Sequence, residues 1–165
     1  MRAREPDEQD YIERDGVKIA YEVFGDGDPT VLFMPVDPIV HSRAWKAQVP
    51  YLARTSRVIT VDPRGNGRSD RPEDPAAYGD LNFVDDAIAV LDACDVERAV
   101  LVGICSSAGH ALVCAALHPD RVDGVFAIAP GARETTPPLP VRAAAAARFD
   151  EVRDDEDGWA KMNRH

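Results

Sequence analysis

The sequence has few cysteines, a deficit of basic residues and no long apolar run, and each shortage excludes a class of protein. Its three cysteines are odd in number and lack the paired short spacings of zinc ligands, so neither a disulfide framework nor a zinc site is predicted. Lysine and arginine total 19 against 29 acidic residues, and the net charge of -10 makes nucleic acids and anionic membranes poor partners. No segment approaches the apolar length of a membrane span.

The remaining composition is typical of an ordinary globular protein. Hydrophobic residues make up 45% of the 165 residues and charged residues 29%, which suffices for one domain with a real core. The amino terminus lacks the apolar segment that a secretory signal needs, so we expect a cytoplasmic location. No metal, nucleotide or flavin motif is visible, and no cofactor is expected.

Short apolar runs alternate with helical patterns along the first 130 residues. Because these runs are continuous, they indicate a mostly parallel sheet covered on both faces, which is an α/β fold. The loops after the carboxyl ends of such strands converge on one mouth. The predicted strands are Tyr11–Arg14, Val17–Phe24, Thr30–Met34, Arg57–Val61, Ala99–Ile104 and Val122–Ile128; the predicted helices are Ser42–Leu52, which is interrupted near Pro50, Leu81–Cys94 and Ser106–Leu117.

The predicted helix Leu81–Cys94 is amphipathic. Its apolar residues recur at helical spacing on one face, and its acidic residues are predicted to face away from that side. Cys94 and Cys114 both fall on apolar helix faces, so each is expected to be a small core residue. The acidic residues in question are Asp85, Asp86 and Asp92.

The third cysteine, Cys105, lies where a predicted strand turns directly into a predicted helix. A tight turn pushes the side chain at such a corner outward, and the following helix aims free backbone N–H groups beside it. The same helix N-terminus favours a thiolate, which is the reactive form of cysteine. The pattern therefore indicates a nucleophile that attacks an ester, thioester or lactone carbonyl to give an acyl-enzyme.

Several motifs, taken in order, resemble the α/β-hydrolase superfamily. They are DPRGNGRS at 62–69, GICSS at 103–107 and HPDRV at 118–122, and the resemblance covers residues 11–130. It implies a hydrolase that acts on a small acyl substrate without a cofactor. The family corner reads Gly-x-nucleophile-x-Gly, usually with serine; here Cys105 holds the nucleophile position and Ser107 replaces the last glycine. Members similar to dienelactone hydrolase also carry cysteine there.

The resemblance further implies an oxyanion hole beside Cys105. The Ser106 N–H would supply one donor, and the loop after the third strand would supply the other. Because prolines flank this loop and cannot donate, only Val36 or Asp37 is available there. His41 follows the loop and is a candidate for the border of the substrate pocket, whereas the histidines of the corner helix, His110 and His118, are expected to point away.

Other interpretations of the corner remain open. In a shifted frame, Ser107 would be the nucleophile, or it would line the substrate pocket. Ser106 and Ser107 would alternatively cap the helix, and Cys105 would be an inert buried thiol. Asp62 and Arg64 are expected to fix their loop by polar contacts, with direct substrate contact as the alternative. The family also includes cofactor-free lyases and peroxidases, which the sequence does not separate from hydrolases.

The family takes its catalytic acid and histidine from loops after later strands, and this sequence contains only six predicted strands. We therefore expect an amino-terminal portion, with the hydrolase core at residues 1–132 and the start of a helical lid at 133–165. Its sixth strand would present an unpaired apolar edge, which predicts a nearly inactive chain that is poorly soluble or homo-oligomeric. The competing functional class is a non-catalytic binding or regulatory domain on the same scaffold.

Overall fold

The computed structural model describes residues 4–36 and 40–130, which form a six-stranded sheet with helices on its faces. The strand order is β1-β2-β4-β3-β5-β6; β1 and β4 each pair antiparallel with β2, and the remaining pairs are parallel. The α/β class is confirmed. The strands are β1 Glu8–Arg14, β2 Val17–Phe24, β3 Thr30–Phe33, β4 Arg57–Val61, β5 Ala99–Ile104 and β6 Val122–Ile128; the α-helices are α1 Val49–Leu52, α2 Asp80–Ala93 and α3 Ser106–Leu117.

The first two strands form a hairpin through Asp15 and Gly16, as the sequence predicts. Both residues have positive φ, 54° and 74°, which is the backbone of the tight turn that suits strand twist. Strand β1 begins at Glu8, three residues before its predicted start. Its first residues pair with β2 through the backbone while their side chains are exposed, so they carry no apolar signal.

The predicted helix over residues 42–52 is interrupted, as expected, but the break lies before Pro50 and leaves two short pieces. A 3₁₀ turn covers Ser42–Trp45, and α1 begins only at Val49. Pro50 lies in the first turn of α1, where its missing N–H costs nothing; inside a continuous helix it would remove a hydrogen bond. Trp45 packs on Phe33 with 4.4 Å between ring centroids, and so anchors the segment to the sheet.

Two apolar clusters hold the sheet to its covering segments. The side chains of α2 and α3 pack on one sheet face, and Trp45 and α1 pack on the other. Cys94 and Cys114 lie in the first cluster, which confirms both as core residues. Burial raises the pKa of both thiols, that of Cys114 to about 11. No helix among the described residues is long and apolar enough to span a membrane.

The orientation predicted for Asp86 is wrong. Its carboxylate is buried and accepts two hydrogen bonds from the Arg64 guanidinium, at 2.8 and 2.7 Å, and a third from Arg14 Nε at 2.8 Å. Asp85 and Asp92, by contrast, are exposed as predicted. A buried carboxylate is tolerated where charged hydrogen bonds replace its lost water, and a helix pattern alone does not show that such a partner exists.

Candidate active site

Four strands end at the same edge of the sheet because β3, β4, β5 and β6 run parallel to their neighbours. This edge is the mouth that the sequence predicts, since parallel strands present their carboxyl ends together. The residues that follow the four strands there are Met34, Asp62, Cys105 and Ala129.

Cys105 is the single residue between β5 and α3, and it is exposed. Its φ of 52° and ψ of -117° lie where residues other than glycine are strained by about 1–3 kcal/mol, a strain that clusters at functional sites. Its N–H donates to the Ile128 carbonyl at 3.0 Å, which holds the backbone of the corner to β6. The arrangement turns the thiol away from the protein interior.

Gly103 allows the helix to leave the strand so sharply. A Cβ at this position would lie 2.4 Å from the Ser107 carbonyl oxygen and 2.6 Å from the Ala108 nitrogen. Both atoms belong to the first turn of α3, so any larger side chain would displace the helix start. The first glycine of the corner motif is therefore required by packing.

The two serines after Cys105 are placed differently from each other. Ser106 is the first residue of α3, so its N–H has no intrahelical acceptor; its hydroxyl is buried and has no hydrogen-bond partner among the described residues. Ser107 lies behind the corner, fully buried, with its Oγ 2.9 Å from the Ile104 nitrogen and 3.0 Å from the Ile104 oxygen. Neither serine is the helix N-cap, which is Cys105.

The loop after β3 approaches the corner from the neighbouring strand. Met34 donates its N–H to the Val102 carbonyl at 2.9 Å, which continues the pairing of β3 with β5 by one residue. Val36 is buried, and within the described part of the chain its N–H has no hydrogen-bond partner. Asp37, the other predicted oxyanion donor, lies outside the described residues.

Two of the described histidines, His41 and His110, make contacts within the protein. His41 is exposed and its Nδ1 accepts the Arg43 N–H at 3.2 Å, which caps the 3₁₀ turn. His110 is buried between α2 and α3, where it stacks on Phe83 with 5.1 Å between ring centroids and lies 3.3 Å from the Asp80 carboxylate. His110 thus faces the packing of the helices, in agreement with the sequence analysis.

The loop after β4 is fixed by Asp62, as predicted. Its carboxylate accepts the Ser42 N–H and the Arg68 N–H, each at 3.0 Å. Gly67, with φ of 58°, packs so closely that a Cβ would lie 2.3 Å from the Asp62 Cγ. Ser69 completes the loop, because its hydroxyl joins the Ala20 N–H to the Asp62 carbonyl.

Sequence reasoning missed two features of this edge. Ala129, directly after β6, has a φ of 46°, so a second strained residue follows the strand beside Cys105. No sequence signal marks an alanine for such a conformation, which glycine and asparagine adopt more readily. The second is the Ser42 contact with Asp62, which depends on tertiary packing. Among the described residues no group of histidine, cysteine and carboxylate side chains is placed to hold a metal ion.

The comparisons with known proteins agree with this geometry. The model of the alpha/beta hydrolase fold family matches residues 39–160. The chain belongs to this family. A 2-hydroxymuconate semialdehyde hydrolase of a Pseudomonas species is 40% identical over 108 residues, which cover 65% of this chain and 38% of that protein. Epoxide hydrolase A of Mycobacterium tuberculosis is 33% identical over 144 residues, covering 85% of this chain and 44% of its own.

Solved structures show the same fold. An N-acyl homoserine lactone degrading enzyme superposes with a TM-score of 0.72 at 31% identity, covering 93% of this chain and 63% of that one. An epoxide hydrolase from Vigna radiata superposes with a TM-score of 0.72 at 26% identity, covering 87% and 46%. The chain of this alpha/beta hydrolase fold protein spans less than half of the length of the two curated relatives and of the Vigna radiata enzyme.

Proposed function

We propose that this protein is the amino-terminal part of a cytoplasmic hydrolase in which Cys105 is the nucleophile for acyl substrates. The observation that carries the proposal is the exposed Cys105, held at a φ of 52° between a buried strand and a helix N-terminus. The lid predicted at residues 133–165 lies outside the described residues, and the acid and the histidine would come from loops beyond the six described strands. The family membership supports this assignment.

The proposed step is an acyl transfer. The Cys105 thiolate attacks the carbonyl carbon, and a sulfur–carbon bond forms as the carbonyl electron pair moves to oxygen. The Ser106 N–H, with the N–H of Val36 or Asp37 as second donor, donates a hydrogen bond to that oxyanion. The oxyanion then collapses, the carbon–oxygen bond to the leaving group breaks, and the departing alkoxide takes a proton from water to become the alcohol. Water finally cleaves the thioester.

The cysteine restricts the substrate class further than the relatives do. Those relatives act on epoxides, on a semialdehyde and, in one case, on an acyl lactone. A thiolate that opens an epoxide forms a thioether, which water does not cleave, so an epoxide would inactivate Cys105 rather than turn over. Attack on an ester or lactone gives a thioester, which water does cleave. We therefore propose esters, thioesters or lactones as substrates.

The first test is selective alkylation of the 165-residue chain near neutral pH. Iodoacetamide should label Cys105 well before Cys94 and Cys114, because those two thiols are buried and burial raises the pKa of each. Peptide mass spectrometry over a time course measures the three rates. Equal labelling of the three cysteines, or none at Cys105, would contradict a working thiolate.

The second test is stoichiometric acylation. On mixing with p-nitrophenyl acetate, the chain should release close to one equivalent of nitrophenolate and carry one acetyl group on Cys105. C105A should show no burst, and C105S should show a much slower one, since a hydroxyl without a base is a weak nucleophile. A burst that survives C105A excludes Cys105. Tight retention of ester without acylation would instead favour a non-catalytic binding domain.

A further inference from the structure

The buried hydroxyl of Ser107 joins the two sides of the Cys105 corner. Its oxygen accepts the Ile104 N–H at 2.9 Å and donates to the Ile104 carbonyl at 3.0 Å. Ile104 is the last residue of β5, whereas Ser107 is the second residue of α3. The contact therefore ties the end of the strand to the first turn of the helix, across the strained cysteine.

Ile104 needs such a partner because strand β3 ends early on that side of β5. The last hydrogen bond between the two segments joins the Met34 N–H to the Val102 carbonyl, and Pro35 follows without an N–H. On the opposite side, Cys105 bonds to Ile128 of β6, so the Ile104 amide groups face the gap that β3 leaves. Buried backbone groups without partners are costly, and the Ser107 hydroxyl satisfies both.

The motif that the sequence resembles has glycine where this chain has Ser107. The hydrogen bonds to Ile104 therefore depend on the serine of this chain. Glycine carries no hydroxyl and would leave the corner to the backbone alone. A hydroxyl offers one donor and accepts through its lone pairs, and here Ile104 uses both functions. Ser107 is also fully buried, which removes it from the path of an incoming substrate.

We propose that Ser107 is a positioning residue, which holds the Cys105 thiol outward at the mouth by fastening Ile104 to the first turn of α3. This inference rests on the proposed role of Cys105 as nucleophile. This role is proposed in place of the shifted frame, in which Ser107 would be the nucleophile. A hydroxyl that is hydrogen-bonded to Ile104 stabilises the corner and is not placed to attack a substrate. Without it, we expect the first helical turn to loosen and the thiol to lose its fixed position at the mouth.

The test compares S107A, S107G and S107T with the unchanged chain. S107A and S107G remove the hydroxyl and should slow iodoacetamide labelling of Cys105 by roughly tenfold, since small displacements of a reacting group lower rates steeply. S107T keeps the hydroxyl and should label within about twofold of the unchanged chain. S107G carries the family residue, so it keeps the comparison informative if S107A does not fold. Equal labelling in all four chains would overturn the proposal.

Ser69 provides a matched control. It too is buried, and its hydroxyl joins one backbone N–H, of Ala20, to one carbonyl, of Asp62, at 2.8 and 2.7 Å. S69A should lower the melting temperature as S107A does, yet leave the labelling rate of Cys105 unchanged. If S69A slows labelling as much as S107A, the effect is general destabilisation and the positioning role is wrong.

Hydrogen exchange separates this proposal from the proposed function. The Ile104 amide proton should exchange faster in S107A than in the unchanged chain or in S69A, because only S107A removes its acceptor. If Cys105 of the unchanged chain resists alkylation, the nucleophile assignment fails, and exchange at Ile104 still decides whether Ser107 fastens the corner. An Ile104 exchange rate that S107A does not change would overturn the fastening itself.

Discussion

At the scale of single residues, three cysteines of one sequence have three different surroundings. Cys94 is the C-cap residue of α2, and Cys114 of α3 lies in the same apolar cluster. Burial raises the pKa of both thiols. Cys105 is exposed at a strained turn. The difference follows from position alone, because the fold places two of the thiols between apolar side chains and the third at the end of a strand.

The burial of Cys114 predicts a loss of stability in alkali. Its pKa is raised to about 11 in the folded chain, whereas the unfolded thiol titrates near 9. Unfolding therefore releases a proton between these values, and the free energy of unfolding should fall there by about 1 kcal/mol per pH unit. Urea unfolding at pH 8, 9 and 10 should show a shallower decline for C114A. Parallel declines would contradict the argument.

The sequence could predict the Cys105 corner but not the role of Ser107. The corner is local: a continuous apolar run, a glycine and a helix start lie within ten residues of each other. The Ser107 hydroxyl acquires its role because β3, some seventy residues earlier, ends before it can reach Ile104. Ala129 is similar, since nothing in its own sequence neighbourhood requires a positive φ.

At the scale of elements, α2 is held to the rest of the fold by a buried charge. Asp86 lies one turn from Phe83 and from Val90, so it sits at the margin of the apolar face rather than opposite to it. Arg64 reaches it from the loop after β4, and Arg14 reaches it from the end of β1. The periodicity of the sequence predicted the helix, but the burial of Asp86 depends on two arginines that are distant in sequence.

Removing this carboxylate should be costly. D86L leaves the Arg64 guanidinium buried without an anion, and breaking such a pair typically lowers the free energy of unfolding by about 3–5 kcal/mol. The double variant R64M/D86L should recover most of that loss. D123N, which breaks the exposed Arg98–Asp123 pair, is the control and should cost less than about 1 kcal/mol. Urea unfolding measures all three; similar losses for D86L and D123N would contradict the buried-pair argument.

At the scale of the whole molecule, β6 is one of the two edge strands of the described sheet, and β1 is the other. Phe126 on this strand is 63% exposed, and a Cβ on Gly124 would meet open space. If two copies paired antiparallel about Val125, each Phe126 would lie opposite the Gly124 of the other copy, a favourable cross-strand pair. The nearby Asp123 is already paired with Arg98, so little charge opposes such contact.

We therefore expect the chain to self-associate through β6. F126E should shift it towards monomer, because it removes the contact between Phe126 and Gly124 of the other copy and places two carboxylates at diagonal positions across the pairing edge. L117E is the control, since Leu117 is also exposed, at 56%, but lies at the end of α3. Sedimentation velocity over a range of concentrations measures the shift. A chain that stays monomeric throughout, or an equal effect of both variants, would argue against this edge.

The corner also has a consequence for how the protein is made. The hydrogen bonds that frame Cys105 join residues between 34 and 128, so both strands that flank β5 precede residue 129. During synthesis, domains begin to fold as soon as their residues leave the ribosome. Once residue 128 has left the ribosome, all the segments that form the corner are available, so we expect the Cys105 thiol to be accessible to electrophiles and oxidants from then on.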